Sequence, residues 1–217
     1  MTDYAITRAN MVENQLRPNR IDDSRVLQAM AEVPRERFVP DALRSCAYGD
    51  EDLALGGGDF LIEPLALGKL LQTAAPRPDD VMLLLGDATG YVAAVLSRLA
   101  GSVLLLLPHD VAPEALQARL DGSDTSNVTL AHGAAGDGLP GRAPFDLILL
   151  AGSVPAIPAA LLDQLGEGGR LVAVVEHGRS GKVTLARKVN GAIGRLTPFD
   201  AQIHRMPDFH AEPAFSF

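Results

Sequence analysis

The chain has 217 residues, of which 47% are hydrophobic and 21% are charged, a composition typical of a folded globular protein and not of a disordered one. Its 27 acidic and 19 basic residues give a formal net charge of −8, which argues against a nucleic-acid-binding surface because phosphate affinity depends on clustered Lys and Arg. The single cysteine, Cys46, excludes an intramolecular disulfide and favours a reducing, cytoplasmic location.

No targeting leader or membrane span is expected from the sequence. The first ten residues contain Asp3 and Arg8 and lack an apolar core, unlike a signal peptide. The longest apolar stretch, residues 81–107, is interrupted by Asp87, Arg98 and three glycines, so it favours strand, helix and strand over a membrane helix. We therefore expect no membrane partner.

Residues 1–75 are predicted to form a helical subdomain. Three helices are predicted, over residues 11–16, 26–33 and 64–74. Asp22 and Asp23 offer an N-cap for the second helix, and Pro64 occupies the first turn of the third. A glycine-rich loop, residues 56–58, precedes the third helix, and prolines 76 and 78 mark the joint with the rest of the chain.

Residues 76–217 are predicted to form a core in which apolar strands alternate with helices. Strands are expected at 81–85, 103–107, 128–131, 145–151 and 170–175, and helices at 91–100, 113–120 and 158–165. Strands that are apolar along their whole length are buried on both faces, which indicates a mostly parallel, doubly wound α/β sheet. Short strands at 183–188 and 201–206 complete the prediction. The two parts are expected to pack as one compact unit.

A glycine loop follows the first predicted strand of this core. Ligands bind such sheets outside the carboxyl ends of the strands, at the switch point in strand order. Here the strand runs into Gly86, Asp87, Ala88, Thr89, Gly90 and Tyr91, directly before a helix. Of these, Gly86, Asp87, Gly90 and Tyr91 are the candidate ligand-binding residues. The alternative, that the glycines only permit a tight turn, stays open.

Several motifs resemble the protein-L-isoaspartate O-methyltransferases over almost the whole chain. The most specific is the run Val33-Pro-Arg-Glu-Arg-Phe-Val-Pro40. Further matching runs are 11–16, 26–30, 47–48, 144–146, 157–158 and 164–172. The resemblance implies a Rossmann-like class I methyltransferase fold with S-adenosylmethionine as cofactor, bound by the glycine loop. It also implies that the substrate is an isoaspartyl residue in a damaged protein or peptide.

At four positions where the resemblance implies a residue that binds the cofactor or assists the transfer, this sequence has a different residue. The acid before the glycine loop falls at Leu84, the ribose-binding acid at Leu107, the aspartate after the third strand at Ala134 and the hydroxyl of the substrate loop at Ile62. Losing two carboxylate contacts would cost about 3–6 kcal/mol, on the order of 10²–10⁴ in affinity. The sequence therefore predicts lost or much weakened cofactor binding and methyl transfer, no catalytic residue, and a binding or structural role.

Two alternatives remain at this point. The chain could be an active methyltransferase whose cofactor contacts are rearranged through Asp87, Asp110 or Asp137. Its cleft could instead have been converted to an apolar ligand, with walls formed by four apolar side chains, Leu84, Leu107, Phe60 and Ile62.

Three further features are interpreted without assigning them chemistry. His109 and His132 follow predicted strands, but no third ligand has a spacing that indicates a metal site, so we expect loop histidines. Glu176 and His177 are expected in an exposed loop. The tail, residues 208–217, ends on two phenylalanines and is expected to pack on the sheet, with a dimer contact as the alternative.

Overall fold

The computed structural model describes residues 3–178 and 180–209. Its α-helices are α1 (Tyr4–Asn10), α2 (Ser24–Glu32), α3 (Pro64–Ala74), α4 (Tyr91–Leu96), α5 (Glu114–Asp121) and α6 (Ala159–Asp163). Its strands are β1 (Leu53–Gly56), β2 (Asp59–Leu61), β3 (Val81–Leu85), β4 (Ser102–Leu107), β5 (Val128–His132), β6 (Phe145–Val154), β7 (Leu165–His177), β8 (Ser180–Val189) and β9 (Ala192–Leu196). Short 3-10 turns occupy Arg17–Asn19, Arg35–Phe38, Asp41–Cys46 and Pro140–Arg142.

The central sheet has seven strands in the order β5-β4-β3-β6-β7-β8-β9. The five strands from β5 to β7 pair in parallel, whereas β8 pairs antiparallel with both β7 and β9. The predicted doubly wound, mostly parallel α/β sheet with an N-terminal helical extension is therefore confirmed. The chain leaves β3 toward β4 on one side and later returns as β6 on the other, so the switch point lies at β3.

Strand β3 is buried on both faces, as its continuous apolar sequence predicts. Met82 and Leu84 belong to a hydrophobic cluster that also contains the buried faces of the N-terminal helices. Leu83 and Leu85 belong to a second cluster on the opposite face, with Leu161 of α6. Because successive side chains of a strand point to opposite faces, neighbouring leucines of β3 serve different cores.

The N-terminal region contains the predicted second and third helices. Asp23 caps α2 by accepting hydrogen bonds from the amides of Arg25 (2.9 Å) and Val26 (3.5 Å). The larger hydrophobic cluster includes residues from both sides of residue 75. The division into two parts, 1–75 and 76–217, stays a prediction.

Other parts of this region differ from the sequence-based expectation. The helix predicted over 11–16 is the π-helical continuation, Met11–Leu16, of an additional helix, α1. The loop predicted at 56–58 is the turn of a β-hairpin formed by β1 and β2, with positive φ at all three glycines. Strands of three or four residues are too short for periodicity to reveal.

The C-terminal segment, residues 200–209, forms an extended strap instead of the strand predicted at 201–206. It makes isolated bridges through Arg205 to Ser153 and through Asp200 to Lys182. Phe209 is buried, but residues 210–217, on which most of the tail prediction falls, lie outside the described residues. Within the described part of the chain, no helix is both long and apolar enough to cross a bilayer.

Candidate functional site

A cavity of about 370 Å³ opens at the carboxyl ends of β3, β4, β5 and β6. This size is within the range of small-molecule sites, and the position is the switch point at which α/β sheets bind ligands. The wall is formed by the glycine loop, by the segments that follow β4 and β5, by Ala151 and Gly152 of β6, by α5, by the β1–β2 hairpin and by the strap.

The glycine loop is stabilised internally by Asp87. Its Oδ1 accepts hydrogen bonds from the Thr89 amide (3.1 Å), the Thr89 hydroxyl (2.8 Å) and the Gly90 amide (2.9 Å). Its Oδ2 accepts one from the Ala93 amide (2.8 Å) in α4. Burial raises the pKa of this carboxyl, and the same hydrogen bonds oppose that shift. The Asp87 carboxylate thus occupies three backbone amides at the start of α4, those of Thr89, Gly90 and Ala93.

The four candidate residues of this loop divide into two groups. Gly86 and Asp87 line the cavity, whereas Gly90 and Tyr91 do not. Tyr91 is fully buried, with its ring edge-on to Phe38 (centroids 5.7 Å apart) and 4.9 Å from the Arg35 guanidinium carbon. The structure therefore places Tyr91 in the core behind the loop.

The structure also locates the positions at which family site residues are replaced. Leu107, Ile62 and Phe60 line the cavity, as expected for an apolar cleft. Leu84 does not line the cavity, because the strand alternation turns it into the opposite core, and Leu85 lines the cavity in its place. Ala134 is exposed and also outside the wall.

Of the three acids considered as substitutes for the lost contacts, Asp87 is engaged within its own loop. Asp110 lines the cavity at an exposed position just after β4. Asp137 is exposed and does not line the cavity. Asp110 is therefore the acid best placed to meet a ligand.

The two strand-end histidines stack near this edge of the sheet without forming a recognisable metal site. The ring centroids of His109 and His132 are 6.4 Å apart, and His132 Nδ1 lies 3.0 Å from the carbonyl oxygen of Pro108. In the described ranges, 3–178 and 180–209, no cluster of three or more His, Cys, Asp or Glu side chains could hold a metal ion.

The strap contributes residues that sequence analysis did not select. The Ser153 amide donates to the His204 carbonyl (2.8 Å), and the Met206 amide donates to the Ser153 carbonyl (3.0 Å). Glu176 forms an ion pair with Arg205, which lowers the pKa of the Glu176 carboxyl. Glu176 thus belongs to β7 and holds the strap, so the expectation of an exposed loop residue was wrong.

Met206 packs against two glycines at the switch point. An ideal Cβ on Gly86 would lie 2.9 Å from Met206 Cε, and one on Gly152 would lie 2.5 Å from Met206 Cγ. The Met206 side chain is buried and forms part of the cavity wall. A glycine directly after the apolar run of β6 was the available sequence signal for this contact.

The hairpin side of the cavity is held by polar contacts of Arg35 and Asp52. Arg35, only 1% exposed, donates to the carbonyl oxygens of Ile62 (2.5 Å) and Ala47. Asp52 accepts from the amides of Glu63 (2.8 Å) and His204 (2.6 Å), which ties the hairpin to the strap. These contacts fix the Ile62 side chain as an apolar part of the wall.

Comparisons with known proteins place these features in a family context. A sequence model described as protein-L-isoaspartate(D-aspartate) O-methyltransferase matches residues 7–197. A protein-L-isoaspartate O-methyltransferase of Methylorubrum extorquens is 43% identical over 185 residues, covering 85% of this chain and 80% of the relative. One of Koribacter versatilis is 37% identical over 195 residues, covering 90% and 88%, respectively.

Solved structures show the same fold. A Plasmodium falciparum protein described as a protein-L-isoaspartate O-methyltransferase, in complex with S-adenosyl-L-homocysteine, has a TM-score of 0.79 at 18% identity. The superposition covers 96% of this chain and 100% of that one. At this identity the likeness supports the architecture alone.

Proposed function

We propose that this chain, which belongs to the protein-L-isoaspartate(D-aspartate) O-methyltransferase family, is a member with lost or much weakened S-adenosylmethionine binding and methyl transfer. In this proposal the protein keeps the family scaffold and uses the cavity at the switch point as a binding site. The family relationship is established, whereas the loss of cofactor binding is the proposal.

The observation that carries this proposal is the position of Leu107. Its buried side chain lines the cavity at the end of β4, where the family resemblance implies a carboxylate for the cofactor's ribose hydroxyls. Ile62 lines the same cavity where the family has a hydroxyl. Neither side chain offers a hydrogen bond, so at these two positions the residues present do not fit S-adenosylmethionine, which supports weakened binding of its ribose hydroxyls.

The surviving cavity supports a binding role over a purely structural one. Its volume of about 370 Å³ has not been filled by the replacing side chains. Leu85, Leu106, Leu107 and Leu116 give it an extensive apolar lining. The wall also carries charged side chains, among them Asp110 and Arg119, so the cavity combines apolar surface with polar groups, as small-molecule sites commonly do.

Thermal unfolding with and without millimolar S-adenosylmethionine tests the proposal. A ligand present at 100 times its Kd adds about 2.7 kcal/mol to the free energy of unfolding, so binding would raise the Tm clearly. We expect no rise for this chain. The Methylorubrum extorquens relative, measured in parallel, is the positive control, and a comparable rise in both proteins would refute the proposal.

One observation favours an active enzyme as the second candidate. Asp110 lines the cavity near Leu107, so it could supply a carboxylate from a different position. The chain would then transfer a methyl group from S-adenosylmethionine to L-isoaspartyl carboxylates of damaged proteins. Transfer of labelled methyl to an isoaspartyl peptide, abolished by Asp110→Asn, would establish this candidate. No label above background at high enzyme concentration would exclude it.

A further inference from the structure

We infer that Met206 determines which ligands the cavity accepts, by filling the part beside the glycine loop and leaving room only for a compact molecule. This inference rests on the proposed function, since it concerns the ligand class of the same cavity. It assigns a specificity-determining role to a residue of the strap.

The inference begins with the two glycines that Met206 contacts. A glycine at a strand end permits something to approach the backbone closely, whether a ligand or another part of the chain. At Gly86, Met206 Cε and Sδ would lie 2.9 and 3.0 Å from an added Cβ. At Gly152, Met206 Cγ would lie 2.5 Å away. The space beside both glycines is therefore occupied by the protein's own thioether side chain.

The strap holds Met206 in this position from several directions. The strap backbone makes two hydrogen bonds with Ser153: the His204 carbonyl accepts from the Ser153 amide, and the Met206 amide donates to the Ser153 carbonyl. The Arg205 side chain is ion-paired with Glu176, and the His204 ring stacks on Phe60 of β2. A side chain fixed by its neighbours in this way acts as part of the wall and does not exchange freely with a ligand.

The remaining space determines the ligand chemistry. Elsewhere the wall includes the apolar side chains of Leu106, Leu107, Val111 and Leu116, together with Asp110 and Arg119. The apolar side chains can bury the flat surface of a compact ligand, and the charged ones offer hydrogen bonds to its polar groups. A molecule that extends a charged chain over Gly86 would have to displace Met206. The site therefore accepts a compact molecule and discriminates against an extended one.

Two probes that differ in this extension test the inference. 5′-Methylthioadenosine and S-adenosylhomocysteine share the nucleoside and sulfur, but only the second carries the charged amino-acid chain. Any loss of affinity caused by placing the ribose next to Leu107 therefore affects both compounds equally. Isothermal titration calorimetry would measure their Kd values for the wild-type protein, for Met206→Ala and for the volume-conserving control Met206→Leu.

We expect wild type to bind 5′-methylthioadenosine at least 10-fold more tightly than S-adenosylhomocysteine. Met206→Ala should improve S-adenosylhomocysteine binding at least 10-fold and change 5′-methylthioadenosine binding less than 3-fold, whereas Met206→Leu should behave as wild type. If the alanine variant does not fold, Met206→Val should show a smaller gain in the same direction.

Two results would overturn the inference. The first is an equal or tighter Kd of wild type for the extended compound. The second is a ratio of the two Kd values that is the same in Met206→Ala as in wild type. Absence of detectable binding of both compounds to every variant would overturn the inference as well. The proposed function is tested separately, because tight binding of S-adenosylmethionine to wild type contradicts it regardless of Met206. An unchanged ratio with weak cofactor binding contradicts only the role of Met206.

Discussion

Asp87 Oδ2 accepts a hydrogen bond from the Ala93 amide at 2.8 Å, so the acid of the glycine loop caps the helix that follows. Its other oxygen binds Thr89 and Gly90. The carboxylate acts where an anionic ligand group would act in an open glycine loop. The amides of Thr89, Gly90 and Ala93 are therefore satisfied by the protein itself.

Replacing Asp87 by Asn should destabilise the protein by about 1–3 kcal/mol, because asparagine keeps one acceptor oxygen and turns an NH2 donor toward either the Ala93 amide or the Thr89 and Gly90 amides. Urea unfolding measures the change. Asp110→Asn is the matched control, since this exposed acid lines the same cavity, and we expect a change within about 0.5 kcal/mol. Equal effects of the two substitutions would contradict a capping role for Asp87.

Restoring a carboxylate at Leu107 should improve nucleoside binding. A hydrogen bond to a charged group contributes about 1.5–3 kcal/mol, so Leu107→Asp should tighten 5′-methylthioadenosine binding about 10- to 100-fold. Adenine, which lacks the ribose, should bind equally to both proteins. Val111→Asp places a carboxylate elsewhere in the cavity wall and should give no such gain. A gain of similar size for adenine would show that the effect does not involve the ribose.

Adding a methyl group at Gly152 should displace the strap. The added Cβ of Gly152→Ala would meet Met206 Cγ at 2.5 Å and the His204 carbonyl oxygen at 3.2 Å. Overpacking of this kind costs about 1–3 kcal/mol, measurable by chemical denaturation. The control is Gly136→Ala, where nothing lies within 4 Å of the added Cβ. A Gly152→Ala variant as stable as the control would disprove close packing of Met206.

The ion pair between Glu176 and Arg205 should make the strap sensitive to acid. The hydrogen bond from Arg205 lowers the folded-state pKa of Glu176 below its usual 4.5. The stabilising contribution of this pair is therefore complete above about pH 4.5 and is lost as the pH falls through the lowered pKa. The methyl resonance of Met206, followed by NMR from pH 7 to pH 3, should shift in that acidic range.

Glu176→Gln should remove most of this pH response and alter the Met206 resonance already at neutral pH. Glu13→Gln serves as the control, since Glu13 pairs with Arg17 at a remote, exposed position. An identical pH profile in wild type and Glu176→Gln would exclude this ion pair as the acid-sensitive contact.

Much of the architecture could be predicted from local sequence patterns. Strand β3 and helix α3 have the predicted bounds, Val81–Leu85 and Pro64–Ala74, because a continuous apolar run and a helical period are both local signals. Asp23 caps α2 as expected, since capping involves residues only two or three positions apart. The approximate location of the cavity also followed, because parallel strands bring their carboxyl ends to one edge.

The amino-acid sequence by itself determined the α/β class, the family and the replacement of acids by leucine at positions such as Leu107. Only the tertiary structure decided which side chains reach the cavity: Leu85 instead of Leu84, and Asp110 but not Asp137. It also brought Met206 against Gly86. Local periodicity describes how a segment buries its own face, whereas a contact between distant segments depends on the path of the whole chain.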